Sequence, residues 1–372
     1  MRPPPALVRR AVIDPIWPPI ATALALCFLL VAVAAALVAP LTRRRRLVRL
    51  ALLGALYLAM DAALVVCCAA LWLRHPRASR RDEARWSRCH EDLLRRALAV
   101  LLAASRRLLG FRVEVQEPPD RDQISGRPLL VLARHGGPGD SFALVEMLIS
   151  RYRRRPTVVL TERLRWDPGM DVLLSRLPSC FVRRGHRDAI AARLTQLASE
   201  MDRDDAILLF PEGGNWTPGR HRRAIARLTR AGRPHAAADA ASNPNVLPPH
   251  PTGVLACLAG RGDLNVAVVA HTGLEDLVGP VSIWRAVPVS QPMMVRWWYE
   301  PAAALPRSAS RRRDWLRLQW AIVDSWIDAR KAARISQGSS ARLPAAPAAG
   351  EHAVQLSADS LPDALAGPAP EG

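Results

Sequence analysis

The sequence contains almost no lysine. Lys331 is the only lysine among its 52 basic residues, so the net charge of +19 and the pI of about 11.3 come from arginine. A charge of this size would indicate nucleic acid or an anionic membrane surface as a partner. The chain has no nucleic-acid-binding motif, no zinc-ligand spacing and no aromatic sheet signature. We therefore expect no nucleic-acid partner, whereas attraction of arginines to anionic lipid is consistent with this composition.

The sequence also lacks paired cysteines. Its six cysteines form no Cys-x-x-Cys pair, and three of them, Cys27, Cys67 and Cys68, lie in apolar segments. The nine histidines form no His-x-x-x-His pair beside an acidic residue. This spacing predicts neither a disulfide framework nor a metal site. A Gly-x-Ser-x-Gly nucleophile motif, typical of serine esterases, is absent as well.

Two long apolar segments occur near the N-terminus. No charged residue lies between Ile16 and Leu41, and Asp61 is the only one between Leu50 and Leu73. At about 1.5 Å per helical residue, each segment is long enough to cross a hydrocarbon core of about 30 Å. We interpret Asp61 either as an intramembrane functional group or as a polar residue that faces the partner helix.

The arginines around these segments leave the membrane topology open. Arginine clusters precede the first segment, lie between the two at 43–46, and follow the second. The length of the first segment and the arginines after it indicate a retained anchor and not a cleaved signal. The positive-inside rule gives no orientation, so a spanning hairpin and a hairpin inserted in one leaflet both remain possible.

Beyond the apolar segments, short apolar runs alternate with segments of helical periodicity. The predicted strands are 111–115, 129–133, 157–160, 180–182, 206–210 and 265–270. Such alternation predicts an α/β fold with a mixed, largely parallel sheet flanked by helices. Between 219 and 251 we predict a helix to Ala231 followed by an irregular loop. The aromatic residues at 297–299 and the apolar stripe of the helix near 315–327 indicate either membrane contact or core packing, and for the helix we favour packing.

This organisation predicts three regions. Residues 1–75 would form a membrane-anchoring helical hairpin, 76–334 an α/β domain, and 335–372 a disordered tail rich in Ala, Pro, Ser and Gly.

Two short motifs that follow predicted strands contain the candidate catalytic and anion-binding residues. In the run 134–141, Arg-His-Gly-Gly-Pro-Gly-Asp-Ser, a glycine-rich turn connects His135 with Asp140. A histidine and a carboxylate placed in this way can act as a general base and the group that orients it. The run 210–214, Phe-Pro-Glu-Gly-Gly, can present backbone amides to an anion. The alternative is that Asp140 or Ser141 only caps the next helix and His135 is an ordinary turn residue.

In this order, the two motifs resemble those of the glycerophospholipid (PlsC-like) acyltransferase superfamily, over roughly residues 90–300. Two further blocks fit the same family, Cys-Phe-Val-Arg-Arg-Gly at 180–185 and Val-Ala-Val-Val-Ala-His-Thr at 266–272. The stretches 215–218 and 246–253 look most like the branch that acts on lysophosphatidic acid and lysocardiolipin. The chain departs from the family at Arg134, where Asn is usual, at Gly214 and Asn215, where Thr-Arg or Thr-Asp is usual, and at His250, where that branch often has Arg.

The resemblance implies a role for each residue of these blocks. His135 would be the general base and Asp140 its orienting carboxylate, with His271 as a weaker candidate for the base. Arg183 and Arg184 would bind the phosphate of the acceptor, because arginine contacts phosphate through two parallel hydrogen bonds. Glu212, Gly213 and Gly214 would form the acceptor-site turn. The charge missing at Asn215 would come from Arg220, Arg222 or Arg223.

The resemblance also implies the reaction and its partners. The enzyme would transfer a fatty acyl group from acyl-CoA or acyl carrier protein to the hydroxyl of a lysophospholipid such as 1-acylglycerol-3-phosphate, without a cofactor. It would reside in the cell membrane with its catalytic domain in the cytosol. Two alternatives remain, a catalytically silent membrane protein that binds lipid with the same fold, and a lipid hydrolase that uses the same base on water.

Overall fold

The computed structural model describes residues 3–42, 45–74, 83–118, 124, 126–137, 139–183, 185–275, 277 and 279–340. The chain divides into two compact units, Met1–Lys331 and Ala332–Gly372. Of the second unit, residues 332–340 are described, and they are helical. Helix therefore continues past residue 335, where we expected the disordered tail to begin, and the remainder of that predicted tail lies outside the described residues.

A mixed sheet forms the centre of the first unit. Its described strands are β1 Val113–Gln116, β2 Leu129–Ala133, β3 Arg155–Thr161, β4 Ser179–Val182, β5 Asp205–Leu209, β6 Asn265–Thr272 and β7 Met293–Glu300. They lie in the order β1-β7-β6-β2-β5-β3-β4. β7 pairs antiparallel with β6 and parallel with β1, and the remaining neighbours are all parallel. The predicted α/β class with a largely parallel sheet is confirmed.

Helices cover the sheet on two faces. They are α1 Asp14–Thr42, α2 Arg46–Arg74, α3 Glu83–Leu109, α4 Asp140–Glu146, α5 Pro168–Leu174, α6 Arg187–Ser199, α7 Pro218–Arg230, α8 Pro234–Ser242, α9 Pro251–Gly260, α10 Pro280–Ala286 and α11 Ala309–Ser340. Helical turns at Ala6–Val8 and Arg9–Ile13 precede α1, and Met147–Arg151 extends α4 as a π-helix. Short 3-10 turns occur at Glu162–Trp166 and Ala302–Ala304.

The alternation of side chains along the strands separates two hydrophobic cores. In β2, Leu129 and Val131 belong to one core, whereas Leu130 and Leu132 belong to the other. Successive residues of a strand point to opposite faces, so a strand that is buried on both faces is apolar throughout. Helices α2 to α5 pack on the first face, and α6, α9 and α11 pack on the second. We call these the hairpin face and the cleft face.

The N-terminal hairpin packs directly on the α/β domain. Leu64, Val65 and Cys68 of α2 share the core of the hairpin face with residues of the sheet. Trp17 Nε1 of α1 donates a hydrogen bond to the Asp61 carboxylate, so Asp61 does face the partner helix. The Asp61 side chain also lies against Gly169 at the start of α5, where any Cβ would collide with it. The hairpin is therefore built into the core and is not a detached appendage.

The outer surface of the hairpin is apolar. Leu26, Leu30 and Leu37 of α1 are 55 %, 69 % and 75 % exposed. Two helices, Ala6–Ala39 and Arg46–Arg74, are long and apolar enough to cross a membrane by length and composition. This gives weak support to a membrane location.

Two segments differ from the sequence-based expectation. The strand β7 was not predicted, because its aromatic residues suggested membrane contact, although Met293, Val295 and Trp297 alternate as buried positions. Residues 234–242 form the helix α8 in place of the irregular loop predicted there, with a proline in its first turn and an alanine-rich body. The predicted packing of the C-terminal helix is confirmed, because Leu316, Trp320 and Val323 are buried.

Candidate active site

The histidine and aspartate of the first motif form a hydrogen-bonded pair. His135 lies just beyond β2, and Asp140 is the first residue of α4. His135 Nδ1 lies 2.8 Å from Asp140 Oδ2, and the backbone N–H groups of Gly136 and Gly137 donate to the same oxygen at 3.0 and 3.3 Å. Asp140 Oδ1 accepts from the N–H of Ser141 at 2.6 Å and from its hydroxyl at 3.1 Å. The N-cap position of α4 is Gly139, and no side chain caps the helix there, so the carboxylate orients His135 and does not act as an N-cap.

The environment of Asp140 keeps its carboxylate ionised. Burial by itself would raise the pKa of Asp140, but the hydrogen bonds from His135 and His271 outweigh burial and hold this pKa well below its usual range. An ionised carboxylate can only accept, so Nδ1 of His135 carries the hydrogen and Nε2 keeps its lone pair. The His135 side chain is 21 % exposed and that of Asp140 is 1 % exposed. His135 therefore has an accessible basic nitrogen held in place by a buried acid.

Glycine is required in the turn between the two residues. A Cβ at Gly136 would collide with Arg134 Nη1, and a Cβ at Gly137 would lie 2.6 Å from the carbonyl oxygen of Leu274. Gly139 has a φ of +90°, which side chains of L-residues rarely adopt. The tight turn brings the acid to the base, and a larger residue at 136 or 137 would displace both.

Arg134, one of the departures from the family pattern, is completely buried beneath this turn. Its guanidinium donates to Glu275 Oε1 at 2.7 Å, to the carbonyl oxygen of His271 at 2.9 Å and to that of Asn245 at 2.8 and 3.1 Å. Burial would raise the pKa of Glu275, but Arg134 and nearby backbone N–H groups lower it to about 2. The buried pair is thus charged and hydrogen-bonded, which makes Arg134 a support of the catalytic turn.

His271, the second histidine of the site, lies under the pair. It is fully buried, and its Nε2 lies 2.9 Å from the carbonyl oxygen of Arg134 and 3.4 Å from Asp140 Oδ2. Its Nδ1 is buried and makes no hydrogen bond. His271 thus contacts the carboxylate and not the solvent, so it is poorly placed to reach a substrate hydroxyl.

The second motif lies beside His135. The ring of Phe210 is 4.4 Å from that of His135, and the N–H of Trp216 donates to the carbonyl oxygen of His135 at 2.6 Å. Gly213, at φ +66°, closes a turn by donating to the carbonyl oxygen of Phe210 at 3.0 Å. Phe210 therefore packs on the ring of His135, while Trp216 binds its backbone carbonyl group.

Glu212 points into the protein interior. It is 4 % exposed, and it accepts hydrogen bonds from the N–H of Leu247 and from Trp320 Nε1, both at 3.3 Å. Burial raises the pKa of Glu212 to about 8. At neutral pH this side chain is mainly a neutral acid, which ties the turn to α11 without repelling an anion.

A large cleft opens at this turn on the cleft face of the sheet. Its volume is about 1620 Å³, and its wall includes Phe210, Gly213, Gly214, Arg183 and Arg220. Glu212 and Arg223 also line the cleft, whereas Arg222 does not. Arg220 Nη1 donates to the carbonyl oxygen of Asn215 at 2.9 Å. The structure thus brings most of the proposed acceptor residues together, and Arg184 lies outside the described residues.

Within the described ranges, no group of three or more His, Cys, Asp or Glu side chains is arranged to hold a metal ion. The sequence reasoning missed the buried pair of Arg134 and Glu275, together with Trp320, which fastens Glu212. The sequence did contain a signal for Arg134. It directly follows a strand that is apolar throughout, and a buried charge at such a position must be paired. No local sequence pattern indicated Glu275 or Trp320.

Comparison with known proteins gives one family match. Residues 112–248 match the acyltransferase family model, and this segment contains His135, Asp140, Arg183 and Glu212. The search of curated proteins found no match. Among solved structures, the chain is similar to the 1-acyl-sn-glycerophosphate (LPA) acyltransferase PlsC from Thermotoga maritima, with a TM-score of 0.45 and 15 % identity over 74 % of this chain and 93 % of that chain. The segment 112–248, which contains both motifs, is therefore similar to the acyltransferase family.

Proposed function

We propose that this protein is a membrane-bound enzyme that transfers a fatty acyl group from an acyl thioester to the hydroxyl of a lysophospholipid such as 1-acylglycerol-3-phosphate. The observation that carries the proposal is the pair of His135 Nδ1 and Asp140 Oδ2 at 2.8 Å, within the acyltransferase domain and next to a large cleft. The departure at Arg134 does not argue for a silent protein, because that residue supports the turn.

The geometry fits direct transfer between the two substrates. Nε2 of His135 takes the proton of the acceptor hydroxyl as its oxygen attacks the thioester carbonyl carbon. Asp140 stabilises the imidazolium that forms. The tetrahedral intermediate then collapses, the carbon–sulfur bond breaks, and the imidazolium returns the proton to the leaving thiolate. An ester and a free thiol result, and no acyl-enzyme is needed.

The cleft supplies a place for the acceptor. We assign the acceptor phosphate to Arg183, Arg184 and Arg220, with backbone N–H groups of Gly213 and Gly214 as additional donors. Arg183 and Arg220 line the cleft beside the turn, which supports this assignment. Glu212 orders the turn from behind and does not contact the phosphate.

The apolar hairpin supports a location in the cell membrane, where the acceptor resides. We assign residues 1–75 to the anchor and 76–334 to the catalytic domain, which we place on the cytosolic side, where the acyl donor is acyl-CoA or acyl carrier protein. No cofactor is required by the proposed chemistry, because base catalysis and an activated thioester are sufficient.

The test is acyl transfer by the full-length protein in membranes. Labelled acyl-CoA would be incubated with a panel of lysophospholipids, with the His135→Ala protein as the matched control. We expect labelled diacyl product from the unchanged protein and a background level from the variant. Release of labelled free fatty acid without diacyl product would indicate a hydrolase, and absence of both products with any donor or acceptor would contradict the proposal.

A further inference from the structure

The cleft is larger than the acceptor phosphate requires. Pockets that hold a small molecule usually measure about 300 to 1,000 Å³, whereas this cleft measures about 1620 Å³. Beyond the turn at 210–214, its wall continues along α7, α8 and α11 and includes the start of α6. There is room in it for a second group of atoms in addition to a phosphate at Arg183.

Arginines from three helices line this additional part of the cleft. They are Arg187 of α6, Arg223 and Arg227 of α7, and Arg313 and Arg317 of α11. On α7, Arg220, Arg223 and Arg227 have the three- and four-residue spacing that places side chains on one face of a helix. The charges therefore converge on one space from separate elements of the fold.

Most of these charges form no ion pair with a described residue. In the part of the chain that the structure describes, Arg187, Arg227 and Arg313 form no ion pair, and Arg317 alone of the five pairs with carboxylates, those of Asp239 and Asp314. Some arginines elsewhere do form ion pairs, as with Arg155, which lies 2.9 Å from both Asp202 and Asp205. An arginine-rich composition explains the number of arginines, whereas the fold places these five around one cleft from three helices.

The lowered pKa of His250 is further evidence that these positive charges lie close together. Burial lowers the pKa of His250, and the positive charges of Arg227 and Arg187 lower it further. These two arginines come from different helices, and both act on the same imidazole in the cleft wall. The cleft therefore contains a region of positive potential that a bound anion would neutralise.

We propose that Arg187, Arg227 and Arg313 form a second phosphate subsite, separate from the acceptor phosphate at Arg183. This inference rests on the proposed function, since it assigns a further part of the same two substrates. Phosphate is the shared chemistry, and it has two possible sources: the nucleotide phosphates of a CoA-linked donor, or a second phosphate on the acceptor lipid.

Binding to the full-length protein in neutral-lipid nanodiscs would test the subsite. The probes are adenosine 3′,5′-bisphosphate, for the donor, and a lysophospholipid with two phosphates beside one with a single phosphate, for the acceptor. The variant is Arg227→Gln with Arg313→Gln. Its matched control is Arg230→Gln with Arg311→Gln, which removes the same charge from the same two helices at positions outside the cleft wall.

We expect the variant to raise the Kd about tenfold or more for either the nucleotide or the two-phosphate lipid, because each lost contact is a charge-assisted hydrogen bond. The control should change each Kd less than about twofold, a size typical of screened surface charge. The affected probe identifies the source of the phosphate. Equal binding of both probes by variant and control would overturn the subsite.

This measurement does not depend on turnover. His135→Ala should bind the affected probe as tightly as the unchanged protein, since His135 is not part of the cleft wall. If acyl transfer fails with every substrate while the probe still binds through Arg227 and Arg313, the proposed function is wrong and the subsite stands. If transfer occurs while the variant binds both probes normally, the subsite alone is wrong.

Discussion

The two faces of the sheet hold their helices in different ways. On the hairpin face, ion pairs and hydrogen bonds join the hairpin to α5. Asp171 of α5 accepts from Arg9 at 2.9 Å and lies 3.0 Å from Arg10 and 3.3 Å from Arg165. The hydroxyl of Tyr57 in α2 likewise donates to Asp167. Each contact ties the hairpin, or the turn before α5, to the same short helix.

On the cleft face, the helices border a space of about 1620 Å³, and most of the arginines that line it form no ion pair with a described residue. The contrast shows that arginine has two functions in this chain. Paired and buried, it joins elements of the fold; unpaired and lining a cleft, it is available for a ligand. His135 and Asp140 lie beyond the C-terminal end of β2, between the two faces, so the proposed catalytic pair lies where the two faces meet.

The largest effect on activity should follow from removing the proposed base, His135, which lies between the two faces. His135→Ala should lower kcat by about 10² to 10⁴ fold, the usual contribution of a general base. The thermal unfolding transition of the protein should remain unchanged, because the side chain is partly exposed. Asp140→Asn should also be severe. Nearly full activity of a well-folded His135→Ala protein would contradict the proposed mechanism.

The second effect tests the hairpin face. Asp171→Ala should destabilise the protein by about 3 kcal/mol, because it leaves the buried Arg9 without its partner. The matched control is Asp202→Ala, which breaks a more exposed pair with Arg155 and should cost about 1 kcal/mol or less. Thermal unfolding in detergent measures both. Equal losses of stability in the two variants would mean that the ion pair between Asp171 and Arg9 does not join α5 to the hairpin.

A third effect concerns the cleft face. Replacing Arg183 and Arg184 with Ala should raise the KM for the acceptor about tenfold and leave kcat nearly unchanged, because binding shared by ground and transition states appears in KM. The unfolding temperature should stay constant. A rise in the donor KM alone would assign these arginines to the thioester's carrier.

A fourth effect is a change in the pH dependence of stability at Glu212. The pKa of Glu212 is about 8 in the folded protein against a usual 4.5, so its contribution to stability is complete below pH 4.5 and is lost as the pH rises to about 8. In that window the unfolded chain releases the proton and the native protein retains it, at up to about 1.4 kcal/mol per pH unit.

Glu212→Gln cannot ionise and should remove this slope. Unfolding would be measured for both proteins between pH 5 and pH 8, and the difference between them isolates Glu212 from other titrating groups. Parallel curves for the two proteins would show that Glu212 is already ionised at the lower pH.

The strands that the sequence predicted best are the ones buried on both faces. β2, β5 and β6 read as continuous apolar runs because each side of the sheet is covered. β7 alternates instead, with Arg296 and Trp298 between its buried positions, and its aromatic residues obscured that period. Local patterns therefore predicted the central strands and also the edge strands β1 and β4, but not β7.

The same distinction applies to the site. His135 and Asp140 lie five residues apart, so a local motif revealed them. Arg134 and Glu275 are separated by 141 positions, and Trp320 and Glu212 by 108. Contacts of that separation depend on how the whole chain folds, and the sequence carries no local signal for them.

The pairing of the central strands also determines which fragments of the chain can fold. The family match ends at residue 248, but β6, which pairs with β2 along Leu129 to Ala133, begins at Asn265. A fragment excised at the borders of the match would leave the strand that leads to His135 with one row of backbone groups unpaired and open to aggregation. It would also lack His271 and Glu275. The matched segment marks the chemistry, but the smallest piece that could fold extends into α11.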